Sequence, residues 1–179
     1  MLASEGVAGL TTRKIAEEAA TSTPAVYELF GDKAGLVREL FFEGFRMLRR
    51  RFDALERTAD PRADLLQVTA TLRSFVRENP ELAQVMFSRP FADFDPRPSG
   101  VEAGSAVRLF IVGRVRRCID AGVLVGDATD VAHVLLALTQ GLAATETAGW
   151  LGTSKASIER RWDVGIRAVL DGLAKRPIS

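Results

Sequence analysis

The stretch that most limits what this chain can become runs from residue 11 to residue 33, TTRKIAEEAATSTPAVYELFGDK. Its apolar residues recur at three- and four-residue steps in two short sets, separated by a break with room only for a tight turn. That spacing predicts two short helices and the start of a third. Thr12 is placed to cap the first, with Ile15, Ala16 and Ala19 inside and Glu17 and Glu18 outside. Ala20 and Thr21 make the turn. Ser22 or Thr23 caps the second helix, and Pro24 occupies its first turn, where a missing N–H leaves no bond unmade. Val26, Leu29 and Phe30 are expected to face inward, Gly31 to end the helix and Asp32 to cap the next.

A helix of about two turns with small residues at its exposed N-terminal end can enter a DNA major groove without clashing. Thr23, Pro24 and Ala25 form that end. Around it, Tyr27, Lys33, Thr11, Thr12 and Arg13 offer hydroxyls, positive charge and free N–H groups suited to phosphate oxygens.

The rest of the chain also reads as helix. Leu36, Leu40, Phe41, Phe45, Leu48, Phe52 and Leu55 recur at helical steps from Asp32 to about Glu56, and the nearby arginines 46, 49, 50 and 51 read as a solvated face. Leu65 to Val76 marks a further helix, stopped at Asn79-Pro80, and a short one follows from Glu81 to Ser88. Arg89 to Gly104, with three prolines and two glycines, reads as the longest irregular segment. Helices are expected again over Val107–Ile119, from Asp127 or Thr129 through Leu142, and from Ser154 to Ala174, the last with Ile158, Trp162, Ile166, Val169 and Leu173 in line. Alternating strand patterns are scarce, so the fold is expected to be all-α.

A length of 179 residues allows a small head on a larger body. The charge is nearly balanced, 24 Lys and Arg against 23 Asp and Glu, which does not decide for or against DNA, since a helix-turn-helix needs only a few local cations. One cysteine, Cys118, excludes an intramolecular disulfide, and with the single His133 it cannot build a zinc site. Cys118 is expected to be an inert buried thiol, and His133, inside an apolar run, a satisfied core residue. No phosphate loop, nucleophile elbow or paired histidines are present, so neither catalytic residues nor a cofactor or metal are expected. No signal peptide is visible, and no apolar run approaches the roughly 20 residues of a membrane span, which points to a cytoplasmic protein with no membrane partner.

The stretch from about Gly6 to Leu40 resembles the DNA-binding domain of the tetracycline-repressor (TetR) family of bacterial transcription regulators. Gly6, Leu10-Thr11-Thr12, Ile15-Ala16, Ala19, Ser22, Val26-Tyr27, Phe30, Lys33 and Leu36 carry the resemblance. It implies that Thr23, Pro24 and Ala25 lie on the recognition helix, that Tyr27 and Lys33 grip phosphates, and that Thr11, Thr12 and Arg13 do so from the other side of the groove. Two positions differ from the family pattern: Ala20 stands where a turn glycine is usual, and Leu29 where a histidine commonly donates to phosphate. The family's first helix is largely missing here, because Met1 to Glu5 can supply only its last turn.

The resemblance also implies an all-α organisation: a helix-turn-helix head over residues 1–45, joined by a long helix to an effector-binding and dimerisation body over 46–179. For the effector site, Met47, Met86, Phe87, Phe110, Leu138 and Leu142 are candidate apolar lining, with Arg89, His133, Gln140 and Glu146 as polar groups. For the dimer, the last two helices would pair across a two-fold axis through Leu138, Gly141, Ile158, Trp162, Ile166 and Val169, with Ala137 and Ala144 keeping one side small. The expected function is a ligand-responsive homodimeric repressor, released from a palindromic operator in double-stranded DNA by a small apolar or amphipathic effector. A second possibility stays open, a dimeric helical small-molecule-binding or interaction protein whose head has lost DNA binding.

Overall fold

A computed structural model describes residues 13, 16, 17, 20–88 and 92–174. Seven helices have both ends among them: α1 (Thr23–Phe30), α2 (Lys33–Asp53), α3 (Pro61–Glu78), α4 (Pro80–Phe87), α5 (Arg97–Asp120), α6 (Ala128–Thr147) and α7 (Lys155–Gly172). Among the described residues there is no strand, and one isolated antiparallel bridge joins Leu124 to Ala174. The fold is all-α, as its periodicity requires. The chain divides into two compact units, one ending at Leu48 and including Asn79–Ser105, the other made of Arg49–Glu78 and the residues from Ala106 onward.

In the first unit, Leu36, Val37 and Val85 are buried, with Phe30, Leu40, Phe41 and Phe94 packed around them. The aromatic rings continue this core: Phe41 lies 4.9 Å from Phe45 and 5.3 Å from Phe94, and Phe87 meets Phe45 edge-on at 5.8 Å. Residues 97–104, expected to be irregular, instead form the first turns of α5. Pro98 is tolerated in the first turn, and the Asp95 carboxylate accepts from the Arg97 N–H at 3.0 Å. Gly100 sits close against α2, where a Cβ would stand a tight 3.2 Å from the Phe41 ring, while Gly104 faces Phe45 at a distance that would admit a Cβ. Gly44 of α2 is tighter still, since its Cβ would come 2.5 Å from the Met86 sulfur.

In the second unit, Phe52, Leu65, Leu72, Phe75, Leu124, Leu135 and Leu170 are fully buried. Phe110 stacks on Phe52 at 5.2 Å, with the Arg49 and Arg114 guanidiniums over its ring. Two charge clusters are held inside this unit. Asp64, 1% exposed, accepts from the Thr58 hydroxyl at 2.6 Å, from the Thr58 N–H, and from Arg114 and Arg117. The Thr58 hydroxyl and N–H, together with Arg117, hold its carboxyl below the usual carboxylate range against the effect of burial. Glu146 of α6 accepts from Arg73 of α3 at 2.8 Å and from the Trp162 indole N–H of α7 at 2.7 Å, while Arg73 also reaches Glu159 at 2.7 Å. Burial works against the Glu146 charge, but the Arg73 and Trp162 hydrogen bonds overcome it and its carboxyl is lowered. The Asp127 carboxylate caps α6, accepting from Thr129 and Asp130 N–H, and Ser154 caps α7 in a reciprocal bond with Ser157.

Cys118 is buried and its thiol donates to the Pro61 carbonyl at 3.1 Å, with burial pushing its pKa up. His133 departs from expectation. It lies on the exposed side of α6, Nδ1 at 2.8 Å from the Thr129 carbonyl, because the buried stripe is Val131, Leu135, Thr139 and Ala143. No helix among the described residues is long and apolar enough to cross a membrane.

Candidate nucleic-acid interface

The turn and α1 are built by local bonds. Arg13, Ala16 and Glu17 are helical, and that helix closes with the Thr21 N–H donating to the Ala16 carbonyl at 2.8 Å and the Ala20 N–H to Glu17 at 3.3 Å. This pair of bonds is a Schellman closure, with Ala20 in the left-handed position at φ 49°. The chain then turns at Ser22, whose hydroxyl accepts from the Ala25 N–H at 3.3 Å, and Pro24 sits in the first turn of α1. Gly31 at φ 73° ends α1, and the Asp32 carboxylate accepts from the Gly35 N–H at 2.6 Å to open α2. Gly35 has no alternative here, because a Cβ on it would overlap the Phe30 carbonyl oxygen.

One side of α1 packs down: Val26 is 1% exposed and Phe30 half-buried. The other side is open, with Pro24, Tyr27, Glu28 and Leu29 exposed and Thr23 and Ala25 half-buried at its small end. Leu29 was expected inside and is instead 74% exposed. In a helix of 3.6 residues per turn, Leu29 sits about 60° from Val26 on the side away from Phe30, so the spacing that suited a two-turn apolar face put it just past the buried edge. Tyr27 is 51% exposed and Lys33 is exposed at the start of α2. Arg13 is exposed and lies 3.7 Å from Glu17. Thr11 and Thr12, with Gly6, Leu10, Ile15 and Ala19, lie outside the described residues.

The candidate effector residues fall in separate places. Met47, Met86 and Phe87 belong to the first unit, with Met86 buried and Phe87 against Phe45. Phe110 is half-buried between Phe52 and the two arginines of the second unit, and His133 and Gln140 lie on α6, the former exposed and the latter half-buried. Arg89 lies outside the described residues. An apolar void of about 10 Å³ lies among Leu65, Val68, Leu72, Ile111, Leu135 and Thr139 of α3, α5 and α6. An open groove of about 280 Å³ runs between α3 and α7, past Leu66, Arg73, Arg77, Trp162 and Ile166.

Of the candidate dimer residues, Trp162 and Ile166 are buried within the chain's own second unit, and Leu138, Ile158 and Val169 are half-buried. Gly141 is exposed with open space beside it, and Ala137 and Ala144 are exposed along the same helix. The close approach of α6 and α7 is made by Gly165, whose Cβ would stand 3.2 Å from Leu142. Val134 of α6 and Val164 of α7 are exposed at 51% and 61%. Sequence periodicity missed these two valines as surface residues because it cannot say which of two apolar sides is used inside the chain.

A capped eight-residue helix with an open outer face, set by a tight turn ahead of a helical body, defines the chain as a helix-turn-helix regulator. The family model for bacterial regulatory proteins of the tetR family matches residues 1–40, and the model for the tetracyclin repressor-like C-terminal domain matches residues 65–169, more than half of the chain. The chain belongs to the TetR family, and is a DNA-binding, ligand-responsive transcriptional regulator. Among solved structures it is similar to a protein of unknown function from Rhodococcus sp. RHA1, at 29% identity and a TM-score of 0.79, covering 97% of this chain and 89% of that one. It shares its fold with the transcriptional regulator FadR from Bacillus subtilis in complex with stearoyl-CoA, at 16% identity and a TM-score of 0.77, covering 96% and 93% of the two chains. It shares it also with a single-residue variant of TetR from Acinetobacter baumannii AYE in complex with minocycline, at 19% identity and a TM-score of 0.67, covering 96% and 88%. A search of curated proteins gives no significant match.

Proposed function

We propose that this chain is a homodimeric repressor whose two α1 helices bind the half-sites of a palindromic operator, and that a small apolar or amphipathic effector releases it. The observation that carries the reading is the face of α1 opposite Val26: small at Thr23, Pro24 and Ala25, open, and flanked by the exposed Tyr27 and Lys33. On this reading residues 1–45 form the DNA-binding domain and 46–179 the effector and dimer domain. Tyr27, Lys33, Arg13, Thr11 and Thr12 hold phosphates, and Thr23, Pro24 and Ala25 meet base edges.

The dimer would use α6 and α7. Exposed Val134 and Val164, half-buried Leu138, Ile158 and Val169, and open Gly141 supply an apolar surface, with Trp162 and Ile166 as its backing. The effector would need the apolar void among α3, α5 and α6, about 10 Å³ in this structure, to open, and its lining favours an apolar or amphipathic molecule. Stearoyl-CoA and minocycline, bound by two proteins of this fold, are of that kind. The protein acts in the bacterial cytoplasm as a regulator and not as an enzyme.

A mobility-shift titration against the DNA upstream of the chain's own coding sequence tests this. The wild-type protein shifts that DNA, Tyr27→Ala weakens the shift on every sequence, and substitution of Thr23 or Ala25 changes which bases are preferred. No shift with any DNA would overturn the reading.

A further inference from the structure

We propose that Glu28 is a specificity-determining residue that reads cytosine in the major groove; the inference rests on the reading of α1 as the recognition helix. Val26 and Phe30 fix the inner side of α1. At 3.6 residues per turn, Glu28, two residues from each, points about 160–200° away from both, along the outermost line of the helix. Pro24, one turn earlier on the same line, is also exposed and carries no donor. The small first turn lets the backbone approach the base edges, and the longer Glu28 side chain, one turn later, extends toward them.

Glu28 carries the one charge on the eight residues of α1. Among the described residues its carboxylate has no ion pair and no hydrogen bond. Arg38 of α2 is paired with Asp32 at 3.8 Å. An unpaired carboxylate aimed at a polyanion opposes binding unless a donor meets it, and phosphates offer none. In the major groove the donors are the amino groups of cytosine and adenine. An ionised carboxylate accepts only, so adenine N7 beside its amino group, guanine N7 and O6, and thymine O4 all repel it. Cytosine, whose amino group has a C–H rather than a ring-nitrogen lone pair beside it on its own ring, is the base that fits best.

The test is selection from a random duplex pool by the full chain, run in parallel with wild type, Glu28→Ala and Glu28→Gln, followed by affinity measurement on the selected duplexes. We expect a cytosine at one symmetric pair of half-site positions for the wild type. Glu28→Ala loses that discrimination by at least about tenfold, and Glu28→Gln moves it toward adenine, with which an amide can both donate and accept. Unchanged preferences in both variants, or a uniform tightening on all sequences, would overturn the inference while leaving DNA binding intact. Failure of the wild type to enrich any sequence would overturn the DNA-binding reading and the inference with it.

Discussion

Ala20 is the residue at which the turn of the head is least comfortable. At φ 49° it holds a conformation that glycine adopts freely and that costs an alanine roughly 1–2 kcal/mol. Replacing it with glycine also loosens the unfolded chain by about 0.4–1 kcal/mol, so Ala20→Gly is expected to raise the stability of the head by up to about 1 kcal/mol, read by thermal melting. Leu29 presents an apolar surface where related heads often offer an imidazole, and since it is 74% exposed the exchange disturbs no packing. Leu29→His is therefore expected to tighten binding to operator DNA by up to about tenfold in an anisotropy titration, through one new donor to phosphate. In the second unit, Asp64 and Glu146 both have lowered carboxyl pKa values, Asp64 held by Thr58 and Glu146 by Arg73 and Trp162 against its burial. A depressed native pKa contributes stability that is present above the unfolded value and is lost as pH falls through the native one. Melting temperature is therefore expected to fall as pH drops through and below the ordinary carboxylate range of about 4, and Asp64→Asn is expected to flatten that fall.

At the scale of elements, what could be read in advance depended on whether the cause was local. The ends of α1 were legible because Ser22, Pro24, Gly31 and Asp32 each act within a few residues of themselves. The start of α5 was not, because Gly100 and Gly104 look like breakers in sequence, whereas Gly100 is a close seat for the Phe41 ring, far earlier in the chain. α6 shows the same limit in another form. It is apolar on more than one side, so periodicity found the helix but could not say that Val131, Leu135 and Thr139 go inward while His133 and Val134 stay out. Nor could it reveal that α3, α6 and α7 are joined by Arg73, Glu146, Glu159 and Trp162, since these residues are distant in the chain. Glu146 is the hub of that cluster, with its side chain 11% exposed. Glu146→Ala leaves Arg73 and the Trp162 indole short of an acceptor and is expected to cost about 3 kcal/mol in denaturant unfolding. A change below about 0.5 kcal/mol would show that the cluster contributes little beyond packing.

For the whole molecule, membership of the TetR family gives one chain two tasks, binding DNA and responding to a ligand. The effector reading requires the body to have two conformations that differ in affinity for the ligand, because a ligand shifts an equilibrium only by its differential binding. The claim on which the rest depends is that α1 and the start of α2 form a phosphate-anchored DNA interface. Its most direct test is an anisotropy titration of the full chain and of Lys33→Ala on the same operator, over a series of salt concentrations. The prediction is that Lys33→Ala binds every duplex more weakly and that its slope of log affinity against log salt is shallower by about one for each half-site contact removed. Equal affinity and an unchanged slope would contradict it.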